Sequence, residues 1–110
     1  MLPKANRMKG EEVPLLFSRA KTLKNPYFLM KYMKNEANKP TFAVAASKKI
    51  FKTAVERNKV RRRIYSALKT AKMYTLPYSI VFMPNREAID APYKTLVTAV
   101  ETICKTLKKS

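Results

Sequence analysis

Residues 41–73 read TFAVAASKKIFKTAVERNKVRRRIYSALKTAKM, and this stretch decides the fold because a strand pattern is followed at once by a helix pattern. Its first seven residues, TFAVAAS, are typical of a buried strand, in which alternate side chains point to the same face. The apolar residues that share one face of this predicted strand are Phe42, Val44 and Ala46.

A helix is predicted to begin near Thr53. Thr53 and Glu56 have the S/T-x-x-E spacing of a capping box, in which the side chain of the first residue accepts a backbone hydrogen bond from the helix. The helix is expected to continue to about Met73, because one apolar stripe recurs at helical spacing. The residues of this stripe are Val60, Ile64, Ala67, Leu68 and Ala71.

The flanking segments predict two further helices, two further strands and one turn. A short amphipathic helix is predicted from Glu11, with Arg19 and Lys21 at its C-terminal end, and Asn25-Pro26 marks a turn. Residues 27–33 and 77–83 have the composition of strands. A final helix is predicted with Asp90 as its N-cap. Its buried stripe would be Leu96, Val97, Val100, Ile103, Cys104 and Leu107.

The predicted order is therefore α-β-β-(β)-α-β-α within a single domain of residues 1–110. Two amphipathic helices that cover one face of a small mixed sheet favour an α+β fold of the two-layer sandwich type.

Charge is the strongest feature of the composition. The 110 residues include 24 Lys and Arg, seven Asp and Glu and no His, which gives a net charge of +17. Because 46% of the residues are hydrophobic, a folded basic domain is expected rather than a disordered polycation. Such a charge favours a polyanionic partner, nucleic acid before an anionic membrane surface.

The same composition excludes several kinds of site. One Cys and no His exclude zinc sites, Cys–His nucleophile pairs and an intramolecular disulfide, so a reducing cytosol is expected. A single Gly excludes a glycine-rich phosphate loop. No apolar run approaches the ~18 residues of a membrane span.

Cations are concentrated around the start of the central helix. Between residues 47 and 63 one acidic residue, Glu56, opposes eight basic ones. A helical periodicity of 100° places Asn58, Arg62, Tyr65 and Lys69 opposite the apolar stripe. An Arg side chain can donate two hydrogen bonds to phosphate oxygens at once, so this cluster favours a nucleic-acid interface. A merely solubilising face would instead be expected to intersperse Glu. The eight cations are Lys48, Lys49, Lys52, Arg57, Lys59, Arg61, Arg62 and Arg63.

Ser-Lys-Lys at 47–49, followed by AVERNKVRR at 54–62, resembles the "RNR" signature of the bacterial ribonuclease P protein subunit. LPKANRM at 2–8 is similar to the opening of the same family. The sequence departs from the family pattern at Lys59 and Arg61, which keep the charge, at Tyr65, where an Arg is usual, and at Ala43, where a Gly is usual.

The resemblance implies an accessory subunit of a tRNA 5′-maturation endoribonuclease. In this family an RNA subunit removes the 5′ leader of precursor tRNA with Mg²⁺ held mainly by RNA, so no protein residue is expected to be catalytic or to bind metal alone. The lack of D-x-D and E-x-D clusters independently agrees with this. The resemblance also implies a left-handed β-α-β crossover. The expected partners are ribonuclease P RNA and precursor tRNA in the cytoplasm, with no membrane and no obligate protein partner.

The resemblance also implies two RNA-binding surfaces. Arg57, Asn58, Lys59, Arg61 and Arg62 match the motif that would contact the catalytic RNA, and Lys48, Lys49, Lys52 and Arg63 extend this patch by charge. A cleft between the first helix and the exposed sheet face would bind the single-stranded leader, with aromatic side chains that stack on unpaired bases. The candidates, each of which could instead be a core residue, are Phe17, Tyr27, Phe28, Tyr32 and Phe82.

Two other functions are compatible with a small basic chain. A ribosomal or other structural RNA-binding protein would have the same composition and no role in cleavage. A membrane-surface or antimicrobial protein would need a large exposed apolar helix face, whereas these stripes have the size of a core.

Overall fold

The computed structural model describes residues 18–34, 40–73 and 77–108. The elements are β1 (Lys21–Lys24), β2 (Phe28–Lys34), β3 (Thr41–Val44), α1 (Ala54–Thr70), β4 (Tyr78–Pro84), α2 (Glu87–Asp90) and α3 (Tyr93–Lys108). The four strands form one mixed sheet in the order β1-β2-β4-β3. The β1–β2 and β2–β4 pairs are antiparallel, and β3 is parallel to β4. The predicted α+β fold is confirmed.

A tight turn at Asn25 joins β1 to β2, as predicted. The Asn25 side-chain oxygen accepts hydrogen bonds from the backbone N–H groups of Tyr27 (2.8 Å) and Phe28 (3.0 Å). Lys21, expected to close the first helix, instead begins β1. The sequence KTLK has little strand propensity, so pairing with β2 determines its conformation. Ser18 and Arg19 are helical, and the rest of the predicted first helix before them lies outside the described residues.

One face of the sheet forms the hydrophobic core together with α1 and α3. Met30 lies opposite Phe82, and Phe42 lies beside Ile80, so these four side chains share this face. The predicted helix stripes are buried against them in a single cluster, which confirms both periodicities. The buried helix residues are Val60, Ile64, Ala67, Leu68, Leu96, Val100, Ile103, Cys104 and Leu107.

α1 begins where the capping box predicted. The Thr53 hydroxyl accepts a hydrogen bond from the Glu56 backbone N–H at 3.1 Å. The helix ends at Thr70, three residues before the expected end, and Lys72 then adopts a positive φ of 59°. That left-handed residue reverses the chain direction and lets Met73 return into the core, where it is fully buried.

The prediction that Asp90 caps the final helix is wrong. Asp90 is the last residue of α2, and α3 begins at Tyr93, directly after Pro92. Proline restricts the preceding residue to extended conformations, and Ala91 has φ −67° and ψ 150°. The chain therefore breaks before Pro92, whose carbonyl accepts the N–H groups of Thr95 and Leu96 in the first turn of α3.

The connection from β3 through α1 to β4 joins neighbouring parallel strands, so the basic helix is the crossover segment. The left hand of this crossover stays a prediction from the resemblance. Across the described ranges, every helix is too short or too polar to span a bilayer.

Candidate nucleic-acid interface

The outer side of α1 and the preceding loop present most of the predicted cations to solvent. Asn58 and Arg62 are exposed as expected, whereas Tyr65 is half-buried and packs against the core. We call the exposed or half-exposed set the basic surface. It consists of Lys48, Lys49, Lys52, Asn58, Lys59, Arg61 and Arg62.

Arg57 and Arg63 differ from this set, because their guanidinium groups donate to backbone carbonyls of other segments, whereas Arg61 Nη1 donates to the Asn58 side chain within the set at 3.3 Å. Arg57 Nη1 donates to the carbonyl of Phe51 at 2.9 Å. Arg63 Nε donates to the carbonyl of Ala88 at 3.1 Å, and its Nη2 donates to that of Ala91. Arg63 therefore joins α1 to α2 and to the segment that follows it. An RNA contact by either arginine stays a prediction and would have to use the remaining N–H groups.

The loop before α1 is anchored by Phe51, whose side chain is completely buried. The backbone N–H of Phe51 donates to the carbonyl of Ser47 at 2.8 Å, which closes a turn. The Ser47 hydroxyl accepts from the backbone N–H of Lys49 at 3.1 Å. Lys48 and Lys49 consequently lie on an ordered turn at the entry to α1.

An ion pair that the sequence did not indicate lies beside this turn. Arg86 Nη2 is 2.6 Å from Glu56 Oε2, and Arg86 Nε is 3.7 Å from Asp90 Oδ2. The hydrogen bond from the Arg86 side chain lowers the pKa of Glu56, and backbone hydrogen bonds at Thr53 and Lys52 act in the same direction. The same contact raises the pKa of Arg86. Glu56 thus completes the capping box and also pairs with a residue thirty positions later.

Two aromatic residues that were candidates for leader binding are core residues. Phe28 and Phe82 are 1% and 0% exposed, and their rings meet edge to face at 5.0 Å. Tyr32 shares their face of the sheet and packs against Tyr78 at 6.0 Å. Tyr27 is half-buried against the same core. Phe28 and Tyr32 both face the core because side chains alternate along a strand, so every second residue of β2 points toward the helices.

Phe17, the remaining candidate, lies outside the described residues.

The second sheet face, opposite the helices, has a different chemistry. It carries Leu29, Lys31 and Met33 of β2 beside Met83, Val81 and Ser79 of β4. Lys31 Nζ donates to the Thr22 hydroxyl at 3.4 Å, and the hydroxyls of Thr41 and Ser79 are 2.9 Å apart. In the described strands this face holds aliphatic, hydroxyl and lysine side chains without an aromatic ring.

A groove of about 610 Å³ lies where one end of the sheet meets the basic surface. Its walls combine apolar side chains with a cation on each side, from β1 and from α1. One predicted aromatic candidate, Phe28, lines this groove, whereas a preference for aromatic side chains gave no signal for Leu29 and Met83. The residues that matter below are Lys24, Leu29, Ser47, Ile50, Arg61 and Met83.

Comparison with known proteins agrees with this architecture. The family model described as Ribonuclease P matches residues 2–108. The ribonuclease P protein component of Carboxydothermus hydrogenoformans is 34% identical over 105 residues, which cover 93% of this chain and 90% of that protein. The component from Caldanaerobacter subterraneus subsp. tengcongensis is 29% identical over 98 residues, covering 88% and 84%.

Solved structures share the fold. The RNase P protein from Thermotoga maritima has a TM-score of 0.79 at 22% identity, over 91% of this chain and 96% of that one. The RNase P protein from Staphylococcus aureus has a TM-score of 0.77 at 24% identity, over 94% and 95%. With a family model spanning nearly the whole sequence and a relative above 30% identity over most of both chains, this chain belongs to the ribonuclease P protein family, the protein component of a tRNA-processing ribonuclease.

Proposed function

We propose that this subunit binds ribonuclease P RNA through the basic surface and holds the 5′ leader of precursor tRNA in the groove. One observation carries the proposal: Arg61 belongs to both sites, since it lies on the basic helix and also lines the groove. A strand that leaves the groove at Arg61 therefore reaches the basic surface directly.

The basic surface suits an RNA backbone. Lys48 and Lys49 lie on the ordered turn, Lys52 follows it, and Lys59 and Arg62 lie in the first half of α1. Each phosphate that such a cation neutralises releases counterions, so binding should weaken steeply as salt rises. The Arg62 guanidinium can also contact two phosphate oxygens at once.

The groove suits an unpaired strand of any sequence. Lys24 and Arg61 can neutralise phosphates, while Leu29, Ile50 and Met83 offer apolar contact to sugars and bases. Readout of base edges would need free polar groups that are held in place.

Two asparagine side chains that line the groove already form hydrogen bonds with the backbone, and these bonds use atoms that recognition of base edges would need. The Asn25 oxygen accepts from two N–H groups, and Asn85 donates to the carbonyl of Pro26 at 2.7 Å. We therefore expect the groove to bind leaders of different sequence with similar affinity.

The chemistry of cleavage is proposed to reside in the RNA, with Mg²⁺ bound mainly there. Within the described ranges no three His, Cys, Asp or Glu residues come close enough to hold a metal ion. Glu56 and Asp90 both contact Arg86 instead. The role of this chain is to position substrate and RNA, and the cytoplasm is its proposed location.

Reconstitution with ribonuclease P RNA at low, near-physiological Mg²⁺ tests the proposal. We expect cleavage of the 5′ leader from precursor tRNA to depend on the protein, and expect the protein without RNA to be inactive. Tight, salt-sensitive RNA binding without any stimulation of cleavage would contradict the proposal and would favour the ribosomal alternative.

A further inference from the structure

Arg86 lies outside the basic surface, at the N-terminal end of α2, yet it contacts three segments at once. Its guanidinium binds Glu56 in the first turn of α1 and approaches Asp90 in α2. Its Cζ also lies 5.9 Å from the centroid of the Phe51 ring, which anchors the loop. Arg86 thus connects the end of β4 with the entry to the basic helix.

Glu56 is the exceptional charge of this region. It is the one acidic residue among eight basic ones between residues 47 and 63, and its side chain is 27% exposed. A free carboxylate at this place would oppose the phosphates that the neighbouring cations attract. Lys52 and Lys59, four residues before Glu56 and three residues after it, are both exposed.

We propose that Arg86 is a positioning residue of the RNA interface, which holds the Glu56 carboxylate in an ion pair and so prevents it from opposing bound phosphate. The inference rests on the proposed binding of ribonuclease P RNA. It assigns to Arg86 an action through Glu56 rather than a contact of its own with RNA.

The surroundings of Arg86 explain why an arginine suits this task. A planar guanidinium can lie against an aromatic ring and still donate from its edge to a carboxylate, which an ammonium group cannot do. The Phe51 ring is itself immobilised, since it is fully buried and its backbone binds Ser47 and Arg57. The ring beside the Arg86 guanidinium is therefore already in place in the free protein.

The test compares the affinity of the full chain for ribonuclease P RNA at one salt concentration. The variants are Arg86→Gln, Glu56→Gln and the double variant, with Lys105→Ala as the matched loss of one exposed charge on α3. Glutamine keeps much of the aliphatic stem beside Phe51. We expect Arg86→Gln to weaken binding about five- to tenfold, from the repulsion of one unpaired carboxylate.

The decisive result is rescue. Adding Glu56→Gln to Arg86→Gln should restore the affinity to within about twofold of the wild type, since no carboxylate then opposes the RNA. Glu56→Gln alone should bind at least as well as the wild type, and Lys105→Ala should lose less than about twofold, as expected of an exposed charge outside the interface.

Two results would overturn the inference. A double variant as weak as Arg86→Gln would show that Arg86 contacts phosphate itself, and an Arg86→Gln variant no weaker than Lys105→Ala would show that the pair has no role. A wild type that fails to bind this RNA would instead refute the proposed function. Should Arg86→Gln not fold, Arg86→Lys gives the same test, with a smaller loss that Glu56→Gln again removes.

Discussion

Successive residues of β2 face opposite sides of the sheet. Phe28, Met30 and Tyr32 face the helices, whereas Leu29 lies on the second sheet face. Both Phe28 and Leu29 line the groove at the end of the sheet. The aromatic candidates Phe28, Tyr32 and Phe82 share the face that packs against the helices, because strand alternation rather than residue type decides the side on which a side chain lies. Their role in leader binding stays a prediction. The sequence contains this alternation, but the pairing register shows which of the two faces is covered by helices.

Leu29→Glu tests the groove at this scale. A carboxylate there should repel leader phosphates, so we expect binding of leader-bearing precursor tRNA to fall about fivefold or more. Binding of mature tRNA should change less than about twofold, since the groove would then be empty. Thr98→Glu, on the exposed side of α3, is the control of equal charge. Equal losses on both tRNAs would contradict the assignment.

The helices and strands differ in how well the sequence predicted them. α1 and α3 have long apolar stripes, and β2 and β4 are apolar runs between turn residues, so local periodicity was sufficient. β1 and α2 have four residues each and owe their structure to partners distant in sequence. Arg86 follows the same rule, because its pairing with Glu56 depends on how α2 packs beside α1.

Arg63→Met tests the junction between α1 and α2. The substitution removes two hydrogen bonds to the carbonyls of Ala88 and Ala91, and we expect the free energy of unfolding to fall by about 2 kcal/mol. Urea denaturation measures the change. Arg62→Met, at an exposed position one residue earlier, should stay within about 0.5 kcal/mol of the wild type. Similar losses in both variants would show that the junction adds no stability.

At the scale of the whole molecule, a net charge of +17 attracts RNA from every direction. Only some of the charged side chains can contact the RNA at the same time. The slope of binding affinity against salt counts the phosphates in contact, so it separates local contacts from overall charge. The composition predicted a polyanionic partner, but the folded structure was needed to show that Arg57 and Arg63 bind protein carbonyls while Lys59 and Arg62 remain exposed.

Lys59→Ala combined with Arg62→Ala tests this count. We expect the salt dependence of ribonuclease P RNA binding to become shallower by about 1.5 to 2 in the slope of log K against log salt. Lys105→Ala combined with Lys108→Ala removes the same charge from the end of α3 and should leave the slope nearly unchanged. A similar change in both double variants would place the RNA contacts elsewhere.

The crossover between β3 and β4 has a consequence for the kinetics of folding. Thr41 and Ser79 are 38 residues apart in the chain, whereas the β1–β2 hairpin closes through a turn at Asn25. Non-local parallel pairing carries a large loop-closure entropy and is slow, so the hairpin should form first and β3 should dock late. α1 lies inside that closing loop, and its clustered like charges oppose helix nucleation. A polyanion would relieve this repulsion and so favour formation of α1, which shortens the loop between β3 and β4. The RNA partner would therefore also act as a template for the last step of folding, the docking of β3.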